Sequence, residues 1–198
     1  MGEKSVQKKK YILEKAREVF SEKGFKDVTM KDIVDACEIS RGGLYLYFSS
    51  TEELFLAVLA DDTPEDDEEA VVAALSGDAT AGDMLALFLK EQKKEILRKK
   101  NNLTTATYEY FIAHKVEERQ NPLKNQFDTA VRIIEKLIEN GVDNGEFYCE
   151  NPHGCARNLM YVVEGMKITS QTIGITAEAI DKEFMYVLTG LVPDELNN

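Results

Sequence analysis

Residues 29–48 read TMKDIVDACEISRGGLYLYF, and apolar positions recur at helical spacing on both sides of a short interruption. Thr29 is a favourable N-cap for a first short helix, which ends near Cys37. After the interruption, Ser40 caps a second short helix that ends near Phe48. Each helix has only one apolar face. Two short helices around a three-residue turn predict a helix-turn-helix.

The second helix carries residues that suit contact with DNA bases. Ser40 leads the helix, and Arg41 follows it with the side chain that most often pairs with guanine. Gly42-Gly43 costs about 1 kcal/mol per residue in helix stability relative to Ala, a cost that suits close approach to another surface. Tyr45 and Tyr47 place hydroxyls on the exposed side. Singly, each residue also fits a turn or packing role, but their order within the helix pair favours recognition.

Helical apolar spacing continues through most of the chain, and alternating β-type runs are missing, so the predicted fold class is all-α. The acidic stretch 61–69 is the predicted boundary between two domains. Residues 6–60 form a predicted three-helix DNA-binding domain with its motif at about 29–48. Residues 61–198 form a predicted helical bundle, the C-terminal domain.

The net charge of −12 is unevenly distributed. Residues 1–60 hold ten basic and ten acidic side chains, so the whole excess of acid lies in residues 61–198. Residues 4–49 are locally basic, and screening beyond about 8–10 Å hides remote acids from a phosphate bound there. The acidic composition is therefore compatible with a nucleic-acid partner.

Other classes of protein are less well supported. No apolar run is long enough for a membrane span, and no apolar segment follows the first lysines as in a secretory signal. Three cysteines without framework spacing suit reduced thiols in a cytoplasm. With two histidines and no P-loop, nucleophile elbow or dinucleotide fingerprint, the chain is predicted not to be an enzyme and to need no cofactor. Cys149, His153 and Cys155 do not make a four-ligand set, so no metal site is predicted. A helical protein-binding module is the remaining alternative.

Four segments together resemble the N-terminal domain of TetR/AcrR-type transcriptional regulators. They are GF at 24–25, TMKDIV at 29–34, ISRGGLYLYF at 39–48 and EEL at 52–54. The resemblance covers roughly residues 8–60, and beyond them it extends only to length and helix count. It implies a homodimeric repressor that is released from a palindromic operator by a small-molecule effector.

The resemblance also implies which residues contact DNA. They are Thr29, Ser40, Arg41, Gly42, Gly43, Tyr45, Tyr47 and Thr51. Thr51 stands where the family usually has Lys, so a weaker hydroxyl contact replaces a charged one. Gly43 replaces a common Thr, Ser or Ala and reads no base through its side chain. Lys8, Lys9 and Lys10 either form an arm that reaches DNA beside the groove or are a solvated helix start.

Two further sets of residues are predicted in the C-terminal domain. The candidate effector pocket consists of Phe88, Tyr108, Phe111, His114 and Tyr161, which mix aromatic rings with a few polar ends. The candidate dimer interface consists of Val131, Ile134, Ile138, Leu159, Val163 and Met166. For both sets, the alternative is that the residues belong to the core of a single chain.

Overall fold

A computed structural model of the chain describes residues 3–61, 79–117 and 121–191. Within these three ranges the chain forms nine α-helices and no β-strand, which confirms the all-α prediction. The helices are α1 Glu3–Lys23, α2 Met30–Cys37, α3 Arg41–Tyr45, α4 Thr51–Asp61, α5 Ala81–Leu97, α6 Thr104–Ala113, α7 Pro122–Asp143, α8 Pro152–Thr172 and α9 Ala177–Leu188. None of these helices is long and apolar enough to cross a membrane. Of the predicted acidic boundary, residues 62–69 lie outside the described part of the chain.

The helices belong to two compact units, which divide the chain differently from the predicted boundary at residue 61. The first unit contains α1–α4 together with α6, and the second contains α5, α7, α8 and α9. The helix α6 joins the first unit because its apolar side, including Ala106 and Tyr110, is buried in the same cluster as α1. Leu103, just before α6, is buried there as well.

The core of the first unit is built around aromatic rings. Phe20 on α1 lies 4.8 Å from Phe55 on α4, measured between ring centroids. Phe25 follows α1 and lies 5.1 Å from Phe55 and 4.9 Å from Tyr110 on α6. Edge-on and tilted ring pairs of this kind add to the stability that comes from burial alone. The cluster holds α1, α4 and α6 together and supports the helix pair α2–α3.

The second unit buries the residues that the sequence assigned to a dimer interface. Val131, Ile134, Ile138, Leu159, Val163 and Met166 are all buried in one apolar cluster of a single chain. The alternative considered for them is therefore correct, because side chains inside the core are not accessible to a partner. A helical stripe of apolar residues identifies a buried face, but the stripe alone does not identify what covers that face.

Candidate nucleic-acid interface

The helix α2 begins at a capping box. The Thr29 side chain accepts a hydrogen bond from the Asp32 backbone N–H, and the Asp32 carboxylate accepts from the Thr29 backbone N–H at 2.8 Å. The Thr29 hydroxyl also donates to Asp32 Oδ2. The Lys23 ammonium donates to the other carboxylate oxygen, and with Thr29 it holds the pKa of Asp32 below its usual value. A predicted phosphate contact of the Thr29 hydroxyl must therefore compete with Asp32.

The turn between α2 and α3 has the predicted three residues. Glu38 ends α2 in the left-handed region, with φ of 52°, and its N–H donates back to carbonyls of the last turn. Ser40 then caps α3, and its Oγ accepts from the Gly43 N–H at 3.1 Å. The hydroxyl hydrogen of Ser40 is not used by this bond.

The helix α3 is shorter than predicted, because it ends at Tyr45 rather than near Phe48. The N–H of Tyr47 bonds the Leu44 carbonyl three residues earlier, and the Phe48 N–H shares that carbonyl. This tighter turn still buries Phe48, so the predicted inward face is kept.

The two glycines of α3 have different surroundings. A Cβ atom on Gly42 would meet no other atom within 4 Å, whereas one on Gly43 would lie 3.1 Å from Ser40 Oγ and 3.8 Å from Lys8 Nζ. Gly42 therefore leaves a low, open surface at the leading turn of α3. The ammonium of Lys8 lies over the same turn.

The three lysines near the N-terminus lie on the regular helix α1, which begins at Glu3. Lys8 lies next to α3, as described above. The Lys9 ammonium lies 5.7 Å from the centre of the Phe48 ring, and Lys10 is exposed. The structure thus places Lys8 beside the candidate interface on a regular helix.

The exposed side of the motif combines a cation, a phenol and an aliphatic side chain. The Arg41 guanidinium lies 5.5 Å from the centre of the Tyr45 ring, and Tyr45 is 42% exposed. Tyr47 is partly buried, and its hydroxyl oxygen accepts from Ser5 Oγ at 3.4 Å. Leu46 is 84% exposed. Sequence reasoning missed Leu46, although its position two residues from both Leu44 and Phe48 places it away from the buried face.

Thr51 is the first residue of α4 and is partly exposed. The residues before it cap the helix: Ser50 Oγ accepts from the Glu53 N–H at 3.1 Å, and the Glu53 carboxylate accepts from the Ser49 N–H at 2.7 Å. Hydrogen bonds from Ser49 lower the pKa of Glu53. The start of α4 is therefore held in place by its own side chains.

The candidate effector residues are divided between the two units. Tyr108 and Phe111 lie on α6 and His114 directly follows it, whereas Phe88 and Tyr161 belong to the second unit. The His114 ring stacks on Tyr110 at 4.4 Å between centroids, and its Nδ1 is 2.9 Å from the Tyr110 carbonyl oxygen.

In the second unit, Phe88 packs against the apolar core. Tyr161 is exposed, lies 5.3 Å from the Phe127 ring and accepts a hydrogen bond from Arg157 at 2.7 Å. Within the described ranges, no three His, Cys, Asp or Glu side chains are grouped as a metal site.

Two residues that the sequence analysis did not select connect α6 to the other helices of the first unit. Glu109 Oε2 accepts from the backbone N–H groups of Phe25 at 2.7 Å and Lys26 at 3.2 Å. Tyr110 donates to Glu52 Oε1 at 2.8 Å, and burial, followed by this contact, raises the pKa of Tyr110 to about 12. Gly24 suits this junction because its φ of 77° would strain any other residue, and a Cβ there would also displace the Glu109 carboxylate, whose Oε2 would lie 2.5 Å away. In the sequence, Gly24 predicts that α1 ends there. It does not predict that Glu109 contacts the backbone that follows.

A capped helix pair with an exposed Arg, Tyr and Leu surface on a small helical support defines a helix-turn-helix DNA-binding protein. Residues 12–58 match the family model described as bacterial regulatory proteins of the tetR family. Residues 84–188 match the model described as the tetracyclin repressor-like C-terminal domain. The chain belongs to the TetR family of bacterial transcriptional regulators.

Individual relatives agree with this assignment. The chain is 34% identical over 142 residues to the uncharacterized HTH-type transcriptional regulator YfiR of Bacillus subtilis, covering 71% of this chain and 68% of that protein. It is 25% identical over 194 residues to the HTH-type transcriptional regulator QacR of Staphylococcus aureus, covering 91% and 96%.

The fold is also similar to that of a transcriptional regulator from Saccharomonospora viridis in complex with choline. The TM-score is 0.78 at 17% identity, with 95% and 99% of the two chains covered. At this identity the likeness concerns the fold alone.

Proposed function

We propose that the chain is a cytoplasmic, homodimeric repressor that binds a palindromic operator in double-stranded DNA and leaves it when a small-molecule effector binds. The observation that carries the proposal is the leading turn of α3, where Arg41 is exposed beside the open surface of Gly42 and the Lys8 ammonium. The absence of enzymatic activity in this chain stays a prediction.

The geometry supports different roles for the DNA-contacting residues, with some contacting bases and others contacting phosphates. Arg41 pairs with guanine in the major groove, where a guanidinium fits O6 and N7 together. Lys8, the Ser40 hydroxyl and Thr51 contact phosphates, which position the helix without reading sequence. Tyr45 orients Arg41 through the 5.5 Å contact between its ring and the guanidinium.

A two-fold dimer would place two copies of α3 on successive half-sites. The helix α8 has an exposed stripe that contains Tyr161, Gly165 and Ile168, and α9 exposes Met185 and Tyr186. The two helices pack against each other in the second unit. Apolar residues that remain exposed on adjacent helices are the better candidates for an isologous interface, because they are accessible.

The helix α6 is the proposed link between effector and DNA. It carries candidate effector residues Tyr108 and Phe111, and Glu109 and Tyr110 fix it to the loop after α1 and to α4 within the first unit. If an effector binds better when α6 occupies a second position, its binding would move Glu109 and Tyr110 and so displace the residues that they contact. By linkage, DNA would weaken effector binding by the same factor by which effector weakens DNA binding.

Selection of bound duplexes from a random library tests the proposal. We expect a palindrome with half-sites about one helical turn apart. In a plot of the logarithm of affinity against the logarithm of salt concentration, we expect a slope of about −0.9 for each phosphate that the protein neutralises.

Arg41→Ala should weaken specific binding by about 1–3 kcal/mol. Arg132→Ala, which removes an exposed arginine of the second unit, is the matched control. Recovery of no preferred sequence at low salt would refute the proposal.

A further inference from the structure

The carboxylate of Asp32 connects the start of α2 with the end of α1. Its Oδ2 accepts from the Thr29 hydroxyl at 2.5 Å and from the Thr29 backbone N–H at 2.8 Å. Its Oδ1 accepts from the ammonium of Lys23, the last residue of α1, at 2.5 Å. Because the two residues use different oxygens of one carboxylate, the Lys23 cation and the Thr29 hydroxyl lie on either side of the same negative charge.

The capping of α2 does not explain the presence of Lys23. Both reciprocal hydrogen bonds of the capping box join Thr29 to Asp32, so the box is complete without a cation. The ion pair is also open to solvent, since the Lys23 side chain is 46% exposed and that of Asp32 is 26% exposed. Ion pairs with this exposure contribute little to the stability of a fold. What Lys23 adds is a positive charge beside the Asp32 carboxylate.

The motif places the Asp32 charge on the side where the DNA backbone would lie. In a helix-turn-helix, the second helix enters the major groove and the first helix crosses the backbone. That first helix is α2, and Thr29 and Lys31 at its start are exposed. The contacts with Lys23, first, and with Thr29 lower the pKa of Asp32, so the carboxylate is ionised at neutral pH. Without a counter-charge it would repel a phosphate that approaches Thr29.

We propose that Lys23 is a positioning residue for DNA binding, which acts by neutralising the Asp32 carboxylate that caps α2. The cap is kept, and the phosphate backbone meets a pair without net charge instead of an acid. Lys23 therefore raises the affinity for DNA through Asp32 and not through a phosphate contact of its own. This inference rests on the proposed function, because it assigns one more residue to the same DNA-binding surface.

A direct contact between Lys23 and a phosphate would have a different signature. If Lys23 acts through Asp32, replacing the carboxylate with a neutral amide makes the cation unnecessary. If Lys23 itself binds a phosphate, Asp32→Asn frees its ammonium, and the loss of Lys23 then costs at least as much affinity as before. A double-mutant cycle on DNA affinity separates these two cases.

The test measures the affinity of four full-length proteins for a fluorescent duplex that the random-library selection recovers, at neutral pH and low salt. The proteins are the wild type, Lys23→Met, Asp32→Asn and the double variant. We expect Lys23→Met to weaken binding by about three- to tenfold in the wild type, because an uncompensated charge then faces a phosphate. In the Asp32→Asn background, the same substitution should change affinity by less than about twofold. Lys23→Arg keeps the charge and should bind like the wild type.

Lys15→Met is the matched control, because Lys15 forms another ion pair on α1, with Glu18 Oε2 at 2.8 Å. It removes the same charge and should leave the affinity for the duplex within about twofold of the wild type. Truncating the exposed Lys23 side chain leaves no cavity in the core, and chemical denaturation of each variant checks that it is folded.

Three results would overturn the inference while leaving the proposed function intact. Lys23→Met could bind like the wild type, Lys15→Met could cost as much as Lys23→Met, or Lys23→Met could cost as much in the Asp32→Asn background as in the wild type. A wild type that binds no duplex at low salt would refute the proposed function and this inference together.

Discussion

Leu46 is 84% exposed directly beyond α3, although Leu44 and Phe48 on either side of it are buried. An isolated exposed leucine is common on protein surfaces, but this one directly follows Tyr45 in the motif that is proposed to contact DNA. The C5-methyl group of thymine is the apolar feature of the major groove. Leu46 is therefore suited to distinguish a thymine from the other bases, a role that no polar side chain of the motif fills.

Leu46→Ala tests this role. Loss of the aliphatic contact should weaken operator binding by about 1–2 kcal/mol and relax the preference for thymine at one position of each half-site. The free energy of unfolding should hardly change, because the side chain is exposed. Ile112→Ala, which truncates a residue that is 80% exposed in the same unit, is the control. A selected motif that is identical for Leu46→Ala and the wild type would contradict the assignment.

The contacts of the Asp32 carboxylate at the start of α2 make the stability of the fold depend on pH. The contacts with Lys23, first, and with Thr29 lower its pKa in the folded chain, whereas an unfolded aspartate titrates near about 3.9. A lowered folded pKa stabilises the fold above the unfolded value, and this stability is lost as the pH falls through the folded pKa.

We expect Asp32→Asn to lower the free energy of unfolding by about 1 kcal/mol at pH 7. Relative to the wild type this deficit should shrink as the pH falls below about 4, because the unfolded wild-type carboxylate is protonated there, and it should disappear once the pH has fallen through the lower pKa of the folded carboxylate. Chemical denaturation at several pH values measures both effects. Asp35→Asn, an exposed aspartate of the same helix, should stay close to the wild type throughout. A deficit that does not change with pH would count against the charged contact as its cause.

At the scale of helices, the residues that cap a helix were easier to predict than the helices that pack against it. Thr29 and Ser40 mark the starts of α2 and α3 correctly, because a cap is a local contact between a side chain and a backbone three residues away. The stripe that contains Ile134 and Ile138 was predicted as an interface and is core, because the sequence shows that a face is apolar but not which helix covers it.

The position of α6 could not be predicted for a similar reason. Its place beside α1 depends on Glu109 meeting the backbone of Phe25, which is distant in sequence. The end of α3 at Tyr45, three residues before the predicted end, reflects a local tightening of hydrogen bonds that periodicity does not detect.

Glu109→Gln tests the anchor between α6 and the loop after α1. A neutral amide oxygen accepts the Phe25 and Lys26 N–H groups more weakly than a carboxylate, so the free energy of unfolding should fall by about 1 kcal/mol. Hydrogen exchange at these two amides should be faster in the variant. Glu117→Gln, an exposed glutamate shortly after α6, should leave both measurements unchanged. If the exchange of Phe25 and Lys26 is the same in Glu109→Gln and the wild type, the carboxylate does not hold the loop.

For the whole molecule, the question is whether DNA recognition requires two chains. One α3 can cover only a half-site. When a dimer has bound one half-site, its second α3 binds the other without a second association step, so the affinity for the full palindrome is higher. Ile168 lies in the exposed stripe of α8 and is 43% exposed in the single chain. In a dimer formed through that stripe it would be buried.

Ile168→Glu would place a charge in this interface, and burying an unpaired carboxylate is strongly unfavourable. We expect a monomer by sedimentation at concentrations where the wild type is a dimer, together with a large loss of affinity for the full palindrome and little change for a single half-site. Leu87→Glu introduces the same charge at a residue that is 51% exposed on α5 of the same unit, and it should remain dimeric. If Ile168→Glu remains a dimer with full affinity for the palindrome, the two-fold axis does not pass through the exposed stripe of α8.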